Sequence, residues 1–141
     1  MTKFSLQYNR SDLDSYTINY KNGLSNDINA TTITAVSIGP MYTGCDNKKV
    51  GNIQFNYLIV QNNDNQTSLV TENIFFEFAD CDNSSIYAVN HFESSDTKGS
   101  YDIGKTYTFR IVSGTGRYIK SKGWIAITAE KDIRHITVKL E

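Results

Sequence analysis

The sequence predicts an all-β fold, a closed barrel or a sandwich, on three observations. Period-two alternation of apolar and polar residues dominates the chain, and β-branched and aromatic residues fill the apolar positions. No window holds an amphipathic helix.

The strands follow in order. Phe4, Leu6 and Tyr8 alternate with Lys3, Ser5 and Gln7, and Tyr16, Ile18 and Tyr20 with Thr17 and Asn19. Thr32–Ile38 is Thr-rich and apolar. Ile53, Phe55, Tyr57 and Ile59 alternate with Gln54, Asn56 and Leu58. Strands are also predicted over Leu69–Ala79, Ile86–Glu93 and Gly123–Thr128. Tyr107, Phe109 and Ile111 form another, as do Ile136, Val138 and Leu140. Polar loops separate them: "NGLSNDINA", "QNNDNQT", "DCDNSS" and "SSDTKGSYDIGK". Eight or nine strands in 141 residues, without repeat or composition break, make one domain spanning 1–141. Strands polar on one face and apolar on the other suit a small barrel, partly filled, with a ligand mouth at one end. A sandwich is the alternative.

Composition excludes several classes. Lys+Arg 14 against Asp+Glu 15 leaves no basic surplus for nucleic acid. No run approaches the ~20 apolar residues of a membrane span. The start "MTKFSLQYNR" lacks a secretory leader pattern, so the expected location is cytoplasmic, or secreted if a leader has been removed. Asn29, Asn65 and Asn83 open glycosylation sequons, which an Asn-rich chain produces readily by chance. Cys45 and Cys81 allow at most one disulfide; two buried free thiols is the simpler expectation. His91 and His135 stand alone on their strands, without Cys or Asp at ligand spacing, so no metal site is expected.

"RIVSGTGRYIKSKGW" asks whether Gly114 and Gly116 cradle a phosphate. A dinucleotide fingerprint needs G-x-G-x-x-G opening a helix, and a P-loop needs Gly-Lys-Ser/Thr. Here the next glycine is Gly123, and "WIAIT" after it reads as strand. The stretch is therefore a corner: a strand ending at Val112, a reversal through Ser113–Gly116, Tyr118 packing back, and a bend at Gly123.

"VSGTGRYIKSKGWIAIT" resembles the Gly-Thr-Gly segment of the allene oxide cyclase and dirigent barrels. "KKVGNIQFNYLIV", "NIFFEFADCDNSSIYAVNHF" and "TTITAVSIGPMY" are similar to further segments of that superfamily, in the same order. The C-terminal stretch also resembles small bacterial barrels that close polyketide rings, the spirotetronate cyclases among them. The resemblance implies an eight-stranded antiparallel β-barrel of calycin type. It also implies a cofactor-independent protein whose lumen folds an apolar intermediate into one reactive conformer. Many dirigent proteins carry an acid just after Gly-Thr-Gly and an arginine before the next glycine; here those positions are Arg117 and Lys122. Lignan-type coupling is therefore disfavoured, and a different cyclisation, or binding alone, is favoured.

The candidate catalytic residues are Glu77, Arg110 and Tyr57. Glu77 is flanked by Phe75, Phe76 and Phe78 and would be a general acid or base if buried. Strict alternation leaves open whether it faces the lumen or solvent. Arg110 interrupts "YTFRIV", as partner to Glu77 or as a solvated outer-face residue. Tyr87, Tyr107, Tyr118, Trp124 and Phe76 are candidate substrate-binding aromatics. The function expected is stereoselective cyclisation of an apolar small molecule. The alternatives are a carrier of a hydrophobic ligand and a secreted carbohydrate-binding or structural β-domain. Expected partners are a small-molecule ligand and, as in relatives, a second or third copy of the chain.

Overall fold

The computed structural model describes residues 2–21, 30–62 and 64–141. The described residues form nine strands: β1 (Thr2–Asn9), β2 (Asp14–Lys21), β3 (Ala30–Thr43), β4 (Lys49–Asn62), β5 (Thr67–Phe78), β6 (Ser85–Ser94), β7 (Thr106–Thr115), β8 (Gly123–Glu130) and β9 (Ile133–Leu140). All neighbours pair antiparallel, in the order β1-β9-β8-β7-β6-β5-β4-β3. The circle closes where β1 meets β3 through Leu6↔Thr43 and Gln7↔Tyr42. Eight strands thus form a closed antiparallel barrel, and β2 is an extra strand laid on the N-terminal part of β3. The Asn29 sequon and most of the "NGLSNDINA" loop lie outside the described residues.

β3 serves two partners in succession, β2 as far as Ile38 and β1 from Tyr42. Pro40 sits between these stretches, facing Asn52 of β4 on its other side. A proline has no N–H for a ladder, and this gap in pairing needs none. The strand consequently runs through Pro40, well beyond the expected Thr32–Ile38.

The alternation becomes inside and outside. Phe55, Phe76, Phe109, Met41, Ile125 and Ile136 are fully buried in the lumen. Burying each such side chain contributes roughly 1.5–3 kcal/mol, so the packed stretch of barrel is where stability resides. On β5 the inward set is Val70, Glu72, Ile74 and Phe76; Phe75 and Glu77 point outward.

The Gly-Thr-Gly corner begins later than expected. β7 continues to Thr115 because Ser113, Gly114 and Thr115 pair with Tyr87, Ile86 and Ser85 of β6. The register shifts between Tyr87 and Ala88, so Val112 is left unpaired in a bulge rather than ending the strand. The reversal then starts at Gly116, whose φ of +57° suits glycine. A Cβ there would lie 2.6 Å from the Asp82 carbonyl oxygen.

Cys45 and Cys81 are free, and both are exposed rather than buried. They lie in the polar β3–β4 and β5–β6 connections. Two thiols per chain are therefore expected to react rapidly with Ellman's reagent without denaturant. A titration that reaches two equivalents only after unfolding would contradict that exposure.

Candidate functional site

One end of the barrel opens into a cavity of about 380 Å³. Its walls come from the inward positions of β2 and β3 (Thr17, Ala35, Ser37) and from Tyr8 of β1 and Tyr57 of β4. The addition of β2 makes this possible. The extra hairpin extends the wall on one side past the packed lumen, leaving space that barrel side chains do not fill.

The β6–β7 connection closes over the same end and contributes Lys98, Gly99, Ser100 and Tyr101 to the lining. It is held by its own polar groups. The Asp96 carboxylate accepts from the Lys98 and Ser100 amides at 2.9 and 3.2 Å. Ser68 Oγ donates to the Asp96 carbonyl and Gln61 Nε2 to the Thr97 carbonyl, both at 2.7 Å. A loop so tied presents Tyr101 in a fixed position.

Behind Tyr101 lies Glu72, 0% exposed. The Tyr101 hydroxyl donates to it and stands 2.8 Å from both carboxylate oxygens. Burial disfavours the carboxylate and outweighs this hydrogen bond, raising the Glu72 pKa to about 8. Glu72 is therefore largely protonated at neutral pH. Burial, and then the proximity of Glu72, push the Tyr101 hydroxyl well above its usual range. The Tyr57 hydroxyl is raised for the same two reasons. Tyr8 is raised first by burial and then by the proximity of Glu72.

An aromatic stack supports Tyr101 from behind. Its ring lies parallel to Tyr107 with centroids 4.1 Å apart, and Phe92 meets Tyr107 edge-on at 4.7 Å. The Tyr107 hydroxyl accepts from the Asp102 amide at 2.8 Å, fixing the loop from inside. On the same wall, directly across from Glu72 on β4, Tyr57 stacks on Phe55 at 5.8 Å. The cavity is therefore lined by the phenols of Tyr8, Tyr57 and Tyr101, with the neutral Glu72 carboxyl between Tyr57 and Tyr101.

The sequence-derived candidates distribute unevenly around this site. Tyr57 lines it, and Tyr107 backs it. Phe76 belongs to the packed lumen. Glu77 is exposed on the outer face, between Asn52 and Ser85, so the carboxylate that β5 carries inward is Glu72. Arg110 is also outside, opposite Val89 and Trp124 and away from Glu77. Trp124 is 49% exposed on that wall, because Ile125 and Ile127 take the inward positions of β8. Tyr87 stacks on Phe75 outside the barrel at 4.6 Å.

Tyr118 lies at the opposite end, against Phe4 and Phe78. It lines a second cleft of about 560 Å³ beside Arg117, whose Nη2 is 3.0 Å from Asp80. His135 pairs with Glu130 at 2.8 Å on the surface. Among the described residues no three His, Cys, Asp or Glu side chains gather as metal ligands.

Sequence reasoning missed Glu72 and Tyr101. Glu72 carries a usable signal: it shares parity with Val70, Ile74 and Phe76, and is thus a carboxylate in the apolar register of its strand. Tyr101 carries none, since it lies in a polar loop.

The chain is similar to a solved structure of pyocyanin demethylase, at 17% identity and a TM-score of 0.59, over 99% of this chain and 100% of that one. At this identity the likeness is one of fold: a barrel of the same general kind. No family model matches the sequence. No curated protein matches it either.

Proposed function

We propose that the protein is a cofactor-independent barrel enzyme that binds a flat apolar small molecule at its open end and isomerises it, ring closure being the favoured outcome. The observation that carries this reading is the Tyr101–Glu72 pair, a neutral acid at 2.8 Å behind a phenol that lines the cavity. Such a pair suits general acid catalysis at neutral pH. The Tyr101 hydroxyl turns from Glu72 to donate its proton to a substrate oxygen as negative charge develops there, and the neutral Glu72 carboxyl donates its own proton to the phenol oxygen in exchange. Tyr57, beside Glu72 on the next strand, and Tyr8 supply further donors in the lining. An isomerisation returns the borrowed proton when the product oxygen is released, so no electron carrier is needed. The fold likeness to pyocyanin demethylase, an enzyme named for a small molecule, supports catalysis in a barrel of this shape.

Linear polyenes, polyketide-like dienes and phenolic quinone methides, incubated with the protein and analysed for product, test the reading. Tyr101→Phe removes the proton donor while keeping the ring, and is expected to lower turnover about 10²- to 10⁴-fold. Turnover by the unaltered protein is expected to fall as pH rises through about 8, where Glu72 ionises. Turnover indifferent to Tyr101→Phe would overturn the assignment. Tight binding of these compounds without product would leave a carrier.

A further inference from the structure

We infer that the cavity at the open end selects organic anions, with Arg134 as the anchor for the negative group. The inference rests on the same cavity as the proposed function but not on its acid–base step. Arg134 is 5% exposed, at the start of β9, and lines the cavity. Its Nη1 donates to the Lys131 carbonyl, and it stands directly across from Tyr8 of β1. Neither partner carries a negative charge, and among the described residues no carboxylate lies within ion-pair distance of it.

Buried cations are ordinarily paired, because an isolated charge loses its hydration without compensation. Asp132, held below the usual carboxylate range first by hydrogen bonds from Ser11 and then by the charges of Arg134 and Arg10, makes no ion pair with Arg134. Asp132 accepts from the Ser11 amide at 2.8 Å and the Ser11 hydroxyl at 2.7 Å. Glu72, behind Tyr101, is not part of the lining.

The rest of the lining reinforces the sign. Arg10 and Lys98 also border the cavity, and among the described residues no Asp or Glu does. Three cations around about 380 Å³, facing aromatic walls, favour a flat molecule bearing one carboxylate, sulfonate or phenolate. Arginine suits this role, since its planar fork can meet two oxygens of one anion. The neutral tyrosine walls then hold the apolar body.

A matched pair of fluorescent probes decides the matter: 1-anilinonaphthalene-8-sulfonate, and N-phenyl-1-naphthylamine, which has the same rings without the sulfonate. The anionic probe is expected to bind at least about tenfold more tightly at low salt, as one charge-assisted contact predicts. Arg134→Gln should remove that preference while leaving the neutral probe within about threefold. Ala35→Trp, which fills the cavity, should abolish binding of both. Arg117→Gln, in the cleft at the other end, should change neither. If Arg134→Gln does not fold, Arg10→Gln and Lys98→Gln should each lower the ratio of affinities severalfold.

Equal affinities for the two probes would overturn the inference, as would a preference abolished by Arg117→Gln. The acid–base reading fails separately. A Glu72→Gln protein that keeps the anion preference and full turnover would refute that reading and leave the anion site standing.

Discussion

In urea titrations from pH 5 to pH 9, the protein is expected to lose stability as pH rises, and Glu72→Gln is expected to abolish most of that loss. The sign follows from the buried carboxyl. Its ordinary pKa of 4.5 is raised to about 8 in the fold, so between these values the folded chain holds a proton that the unfolded chain has released. Stability then falls with increasing pH. The contribution is complete below about 4.5 and is lost as pH climbs to about 8. At about 1.4 kcal/mol per unit, the total is on the order of several kcal/mol, a large fraction of a typical folding free energy. Glutamine has the same shape, still accepts from Tyr101 and never ionises. The variant should match the unaltered protein near pH 5 and exceed it by several kcal/mol near pH 9.

Other perturbed groups do not produce this trend. Asp80, Asp96 and Asp132 have lowered pKa values, so their contributions are lost only as pH falls through the acid range. The tyrosines with raised values titrate above pH 10. Parallel curves for the two proteins would show that Glu72 is not held neutral, and would remove the acid from the proposed chemistry. Keeping an ionisable group where glutamine would be more stable is the kind of sacrifice that functional sites make.

How far the sequence anticipates this arrangement depends on the kind of information each residue carries. Strand positions are written in local alternation, so every strand was legible, including the short Phe4–Tyr8 segment. The ends of β3 and β7 were not. Pro40 is a strand breaker until β2 and β1 are known to leave a gap opposite it, and Val112 ends a strand unless a bulge absorbs it. Which face of a strand points inward requires one anchoring residue. On β5 the aromatic run Phe75, Phe76 and Phe78 supplied apolar residues to both faces, so alternation could not decide where Glu77 points. Val70, Glu72 and Ile74 break that tie, because Thr71 and Asn73 occupy the other parity. Tyr101 is a case beyond local reasoning. Its position depends on hydrogen bonds from Ser68 and Gln61 on distant strands, which no loop sequence announces. Arg134 was invisible for a similar reason: it stands opposite Tyr8 of β1, a pairing between the two ends of the chain.

Closure also sets the second large effect, expected at Gly51. This residue is buried on β4, between Met41 of β3 and Phe78 of β5. A Cβ there would lie 1.9 Å from the Glu77 carbonyl oxygen and 3.0 Å from Phe78 Cα. These are backbone atoms in a ladder, so no rotamer change relieves the clash; the two strands must part. In an open sheet an edge can swing away, but a barrel passes the displacement to both neighbours. Gly51→Ala is therefore expected to cost roughly 3–5 kcal/mol and to lower the melting temperature by about 10 °C or more. Gly104 separates this collision from backbone preference. Its φ is +85°, yet an added Cβ would meet nothing within 4 Å, so Gly104→Ala should cost only about 1 kcal/mol. Calorimetry of both variants tests the contrast. Equal melting temperatures would mean that β4 and β5 do not approach as described, and with them the register that carries Glu72 into the barrel would fall.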